Sequence, residues 1–178
     1  MQARAPLMIE HRLIERMLSV IKAALSKIES NHEIDPVFVD TAVDFIRVYA
    51  DRTHHGKEED ILFRELKMKK LSADDQRIMN ELIEDHKFAR QTTAALVDAN
   101  NLYRSGHNTA LTDIADKLKI LIEFYPVHIE KEDKKFFPSS RAYFTEEEDQ
   151  AMLSEFREFD RKMIHEKYKL LVEKLENK

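Results

Sequence analysis

At 178 residues the chain has the length of a single domain, enough to bury a substantial core. Its net charge of −5 is spread without a basic stripe, which argues against nucleic acid as a partner, and no apolar run approaches the ~20 residues that span a bilayer. Cysteine is absent, which excludes disulfides, cysteinyl iron–sulfur clusters and thiolate nucleophiles, while two glycines and four prolines supply too little turn chemistry for an all-β fold.

The apolar period is helical nearly throughout. A first helix is expected from about Leu7 to about Glu29, with Leu7, Met8, His11, Ile14, Leu18, Ile21 and Leu25 on one face. Glu10, His11 and Arg12 interrupt its apolar start, so it does not read as a secretory signal; a cytoplasmic protein is expected. Asp35-Pro36, a cap residue before a first-turn proline, starts a second helix that runs to about Lys70. Ser72 caps a third, which continues to about Arg104. After the break at 105–108 a fourth runs to Phe137, where Pro138 is expected to end it. Thr145-Glu146-Glu147-Glu148 is a capping box for a fifth, over about 146–176. Short loops make the first four helices, about 7–138, an all-α up-down-up-down four-helix bundle in one domain over 1–178. The fifth carries Met152, Phe156, Phe159, Met163, Leu170 and Leu175. Such a stripe is expected to cover the bundle, with a dimer contact as the alternative.

Two segments repeat. His54 to Phe63 and His128 to Phe137 both read H-x-x-K-E-[ED]-x-x-[LF]-F. Upstream of each is a lone histidine, His11 in Glu10-His11 and His86 in Asp85-His86; the lone histidines are 75 positions apart and the paired ones 74. Residues four apart share a helix face, with Cβ atoms ~5–6 Å apart. Each segment therefore presents an imidazole beside a carboxylate: His54 with Glu58, His128 with Glu132. His55 and Glu59 offer a rival pair. Helical steps from His54 and Glu58 reach Ile46, Ala50, Ile61 and Leu62; steps from His55 reach Asp51 and Arg52. The apolar stripe selects His54 and Glu58. By the same test His86 and His128 face inward.

Polar groups on apolar stripes need partners inside the protein. Buried His–Glu ion pairs without a function would gain little, because desolvation roughly cancels their attraction. A metal site is the better account, with His11, His54, Glu58, His86, His128 and Glu132 as ligands. Four imidazoles and two carboxylates are too many for one tetrahedral zinc and suit two first-row ions, with iron or manganese favoured by mixed N/O ligation. The ferritin-type pattern of paired Glu-x-x-His is not met, since Glu29 and His32 are its single occurrence.

These residues give the chain a resemblance to the hemerythrin-like family, or HHE cation-binding domains, over about Leu7 to Phe137. The resemblance rests on His11, His54 with Glu58, His86, and His128 with Glu132, and on the flanking Lys-Glu-Glu and Lys-Glu-Asp words. It implies a non-haem centre of two iron ions under oxo or hydroxo and carboxylate bridges, Glu58 and Glu132 bridging and the histidines terminal. Manganese or zinc are conceivable substitutes. It further implies binding of dioxygen or nitric oxide, for sensing or storage. The alternatives are an oxidoreductase acting on peroxide, nitric oxide or damaged metal centres with an external reductant, and a metal-stabilised interaction module. The chain departs from oxygen carriers on the third helix, where Leu82 and Arg90 flank His86 at four residues and neither replaces a second histidine. One ion would then lack a ligand. His55 could supply the missing ligand, but it lies about 100° from His54 around an α-helix, so support from outside the site or a place at the surface is expected. Tyr125, one turn before His128, either meets a bound ligand or fills the core. His32, His107 and His165 are expected in solvent. Gly56 suggests a close helix approach.

Overall fold

A computed structural model describes residues 3–176, with side chains to 165 and at 167. Five helical rods account for it, and no strand occurs among the described residues. We label them α1 (Arg4–Asn31), α2 (36–67), α3 (Ala73–Arg104), α4 (110–140) and α5 (Glu146–Glu176). None is long and apolar enough to cross a membrane.

The expected start signals act as local chemistry dictates. Asp35 accepts from the Val37 N–H at 2.9 Å ahead of Pro36, and Ser72 accepts from the Asp75 N–H at 3.1 Å. Thr145 and Glu148 cap each other reciprocally: the Thr145 N–H donates to Glu148 Oε2 at 3.0 Å and the Glu148 N–H to Thr145 Oγ1 at 3.3 Å. His32 ends α1 with φ of 55°, its N–H returning to the Ile28 carbonyl.

Two rods are not plain α-helix. In α2, π-helical turns span Phe45–His55 and Glu58–Leu62. In α4, one spans Glu132–Phe136. A π-helical turn bonds i to i+5 and so shifts the faces that follow relative to an α-helical count. It also explains Pro138, which does not end α4. The proline falls in the first turn after the π segment, where a missing N–H is tolerated, and the rod continues to Ser140 and a short 3₁₀ turn at Arg141–Tyr143.

The core forms two apolar layers. One contains Ile14 and Ile21 of α1, Ala42 and Ile46 of α2, Ala89 and Leu96 of α3, and Leu118 and Leu121 of α4. The other contains Leu7, Ile61, Phe63, Leu82 and Phe136, together with Met152 and Phe156 of α5. Each fully buried Leu, Ile, Met or Phe side chain contributes ~1.5–3 kcal/mol. The α5 stripe thus covers the bundle through Met152 and Phe156; Leu170 and Leu175 lie outside the described side chains. Met8, placed on the inner face of α1 by the sequence, is 40% exposed. Between the layers the first four rods pass through a band of buried polar residues: His11; His54, His55, Lys57 and Glu58; His86; and His128 with Glu132.

Candidate metal centre

All six residues singled out by the sequence are buried, and their side chains converge in that band. His11 and His54 bring their Nε2 atoms to 2.9 Å. Glu132 Oε2 lies 3.1 Å from His11 Nε2, and Glu58 Oε1 3.6 Å from His54 Nε2. The second oxygen of each carboxylate turns the other way. Glu58 Oε2 is 3.4 Å from His86 Nε2, and Glu132 Oε1 is 3.4 Å from His128 Nε2 and 3.8 Å from His86 Nε2. Each carboxylate therefore spans two donor clusters.

A seventh residue joins them. His55, expected outside, is 1% exposed, and its ring stacks on His86 with centroids 3.8 Å apart. His55, His86 and His128 form one cluster; His11, His54, Glu58 and Glu132 form the other. His55 and His54 both face inward because they sit at the end of an 11-residue π-helical stretch, so the 100° separation of an α-helix does not hold there. The imidazole that the sequence found wanting beside His86 comes instead from α2.

The far side of each imidazole shows why the Nε2 atoms point inward. His11 Nδ1 donates to Asp133 (2.8 Å), His54 Nδ1 to Glu10 (2.9 Å), and His86 Nδ1 to Glu59 (2.7 Å). His128 Nδ1 donates to Asp85 (3.2 Å) and His55 Nδ1, at 3.4 Å, to Asp51. Every one of the five outer carboxylates meets a cation: Asp133 meets Arg12, Glu10 meets Lys57, Asp51 and Glu59 share Arg90, and Asp85 meets Lys131. A carboxylate on Nδ1 fixes the tautomer, leaving a lone pair on Nε2 and making it a better metal donor. None of these carboxylates was singled out by the sequence reading. A signal for them was present: the Lys-Glu-[Glu/Asp] letters after each paired histidine, and the acid before each lone one.

Most of the inner atoms find no partner among the described residues. Nε2 of His55, His86 and His128 and all four oxygens of Glu58 and Glu132 are buried without a hydrogen-bond partner, a costly arrangement for a closed core. Two Nε2 lone pairs at 2.9 Å repel unless a cation or proton lies between them. Without a cation the two carboxylates cannot share the site as anions. Burial and the facing Glu132 push Glu58 well above the usual carboxylate range. Burial also acts against the Glu132 charge, but His128 and His11 overcome it and hold Glu132 well below that range. Against burial, Asp133 and Glu132 push His11 up to about 9. The donor set fits cations: nine inward-facing atoms, five nitrogens and four oxygens, in two groups.

Tyr125 is buried beside the centre, its ring 6.4 Å from that of His55 and its hydroxyl without a partner. It lines a cavity of about 280 Å³ with Ile46, Arg47, Asp51, Arg90 and Thr93. Neither this cavity nor a larger groove near Lys27, Asp35 and Tyr103 is lined by any of the clustered residues. His32, His107 and His165 are exposed, as expected.

Fold and site together define an all-helical protein with a buried His/Glu cluster able to hold metal cations. Residues 4–139, about three-quarters of the chain, match the hemerythrin HHE cation-binding domain, and the chain belongs to that family. No curated protein and no solved structure matches it.

Proposed function

We propose that the chain is a single-domain non-haem di-iron protein that binds dioxygen or nitric oxide, for sensing or storage. The observation that carries the reading is the set of nine inward donor atoms, seven of them buried without a hydrogen-bond partner, with all five imidazoles fixed from behind by carboxylates. His11 and His54 would hold one ion and His55, His86 and His128 the other, with Glu58 and Glu132 between them. Imidazole and carboxylate donors without sulfur would suit iron, with manganese or zinc as substitutes. Iron would supply reversible one-electron chemistry toward a diatomic ligand. One group offers four protein donors and the other five, so six-coordinate ions retain positions for a small ligand.

The protein's own part is to orient, to exclude and to admit. The outer carboxylates hold the imidazoles in one tautomer. Leu7, Phe136 and Phe137 close one side against water. Tyr125 lines a cavity of about 280 Å³, and its buried hydroxyl, without a partner among the described residues, would be free to donate to a small ligand. The reading takes an up-down-up-down bundle. In support, α1 and α3 enter the α5-side layer first along the chain, and α2 and α4 enter it last. It also takes a cytoplasmic location, which suits a chain without cysteine.

Metal analysis and spectra of protein from iron-replete cells test this. The expected result is two irons per chain, with near-ultraviolet charge-transfer bands in the ferric state and reversible spectral change on cycling dioxygen or nitric oxide. Steady consumption of nitric oxide or peroxide with added reductant would make the protein an enzyme instead. Absence of bound metal would leave a helical interaction module.

A further inference from the structure

The fifth helix lies beyond residues 4–139 and outside the four rods that carry the inward donors. Yet it touches α2 where the site begins. Phe159 seats on Gly56, its Cζ 2.8 Å from the place a Cβ would occupy. The next residue, Asp160, accepts from Lys57 Nζ at 2.6 Å. Lys57 is fully buried and also donates to Glu10, whose other oxygen accepts from His54 Nδ1 at 2.9 Å. The chain of charges from surface to centre is unbroken: Asp160, Lys57, Glu10, His54.

We propose that Asp160 is a positioning residue for the metal centre, through which the docking of α5 sets how strongly His54 binds a cation. This rests on the metal reading above. A buried ammonium must be neutralised by what surrounds it, and Lys57 divides its charge between two carboxylates. With Asp160 in place, Glu10 keeps enough negative charge to accept strongly from His54, which makes Nε2 a better donor. Without Asp160 the whole ammonium charge falls on Glu10. Glu10 then accepts less strongly, and the imidazole loses orientation and basicity. The repeat supplies the contrast. Lys131 occupies the same motif position and holds Asp85, which holds His128, but its further carboxylate is Glu81 of α3, at 3.6 Å. Among the described residues, only the His54 arm is tied to α5 by an ion pair.

The test compares two full-length variants that each remove one α5 carboxylate. Asp160→Asn breaks the relay. Glu155→Gln breaks an α2–α5 ion pair with Arg64 that leads nowhere near the site. Asp160 is 44% exposed, so its variant should fold. Cobalt(II) is the probe, with affinity from competition against a chelator. Loss of a carboxylate directly on a ligand imidazole costs ~10–100-fold in metal affinity; one bond further out, about 5-fold is expected for Asp160→Asn. The cobalt absorption bands should shift, and so should the His54 ring nitrogen resonances of the metal-free protein. Glu155→Gln should lower thermal stability slightly and change neither affinity nor spectra. Equal behaviour of the two variants overturns the proposal, as does a shifted resonance without an affinity change. Wild-type protein that takes up no cobalt overturns the metal reading itself, a result separable from either of these.

Discussion

The two halves of the chain build nearly the same device, and among the repeat positions that supply an inward donor they differ at one. His54 and His128 are equivalent, as are Lys57 and Lys131, Glu58 and Glu132, Glu59 and Asp133. The structure gives each letter the same task twice. The lysine holds the acid behind its own half's histidine. The first glutamate spans the clusters. The next acid reaches across to the other half's lone histidine, Glu59 to His86 and Asp133 to His11. The exception is His55, opposite Ile129, which is an apolar core residue. One exchange turns a two-plus-two arrangement into two-plus-three histidines. The asymmetry of the donor set, and so the difference between the two ions it would hold, therefore originates in the first half.

The largest effect should come from the spanning carboxylates, and it should separate the halves. Glu132→Gln and Glu58→Gln both remove donors from both clusters, and each should abolish stable binding of the metal pair, read by metal analysis. In the metal-free chain they should part. Glu132 carries its charge there, beside His11 and His128, so losing it should destabilise by about 3 kcal/mol, as for a broken buried pair. Burial and the facing Glu132 push Glu58 well above the usual carboxylate range, so Glu58→Gln, which mimics the protonated form, should cost the metal-free chain less stability than Glu132→Gln. The sign with pH follows. A carboxyl with a raised folded pKa binds its proton more tightly folded than unfolded, so it withdraws stability as pH rises from the ordinary glutamate range. Glu58→Gln should flatten that fall. Equal metal-free stabilities of the two variants would remove this distinction.

Next in size, His55→Ile makes the first half match the second. Metal content should drop from two ions toward one, with a lower melting temperature only when metal is supplied, since a cation held by the folded state alone stabilises it by mass action. Unchanged stoichiometry would show that His55 is packing rather than a ligand. Smaller again are the crossed carboxylates. Glu59→Gln and Asp133→Asn should each weaken metal affinity by ~10–100-fold, and by similar factors, because the repeat gives them one role. A chelator titration that found only one of them sensitive would break the equivalence.

The helices were legible because their ends are local chemistry: Asp35-Pro36, Ser72 and Thr145-Glu148 cap with no help from tertiary structure. The six donors first singled out were legible because the repeat and the apolar stripe agreed. What escaped was whatever depended on counting residues through a π-helical turn. His55 was assigned by α-helical angle to the wrong side, and Pro138 was taken as an end because the ladder was assumed regular. The carboxylates behind the imidazoles escaped for another reason. Glu10, Glu59 and Asp133 occupy positions that an amphipathic pattern assigns to solvent, and only the approach of a neighbouring rod shows what they face. Lys57, fully buried, is the extreme case: a lysine belongs on the surface until its two carboxylates are known.

The mildest test bears on the surface that α5 covers in the first half. The repeat pairs Gly56 with Glu130, whose side chain is 59% exposed and pairs with Lys134. Gly56 has no such freedom, because a Cβ there would meet Phe159 Cζ at 2.8 Å. Two effects oppose each other in Gly56→Ala. Alanine stabilises a helix interior by ~1 kcal/mol relative to glycine. Against this, overpacking costs ~1–3 kcal/mol, at its low end here because the obstacle is the tip of one half-buried ring that can swing aside. The single variant should therefore lie within about 1 kcal/mol of wild type by denaturant unfolding. Phe159→Leu removes the obstacle, so adding Gly56→Ala to it should raise stability by nearly the full propensity gain. A double-mutant cycle with no coupling between the two changes would mean that Gly56 is not there to seat α5.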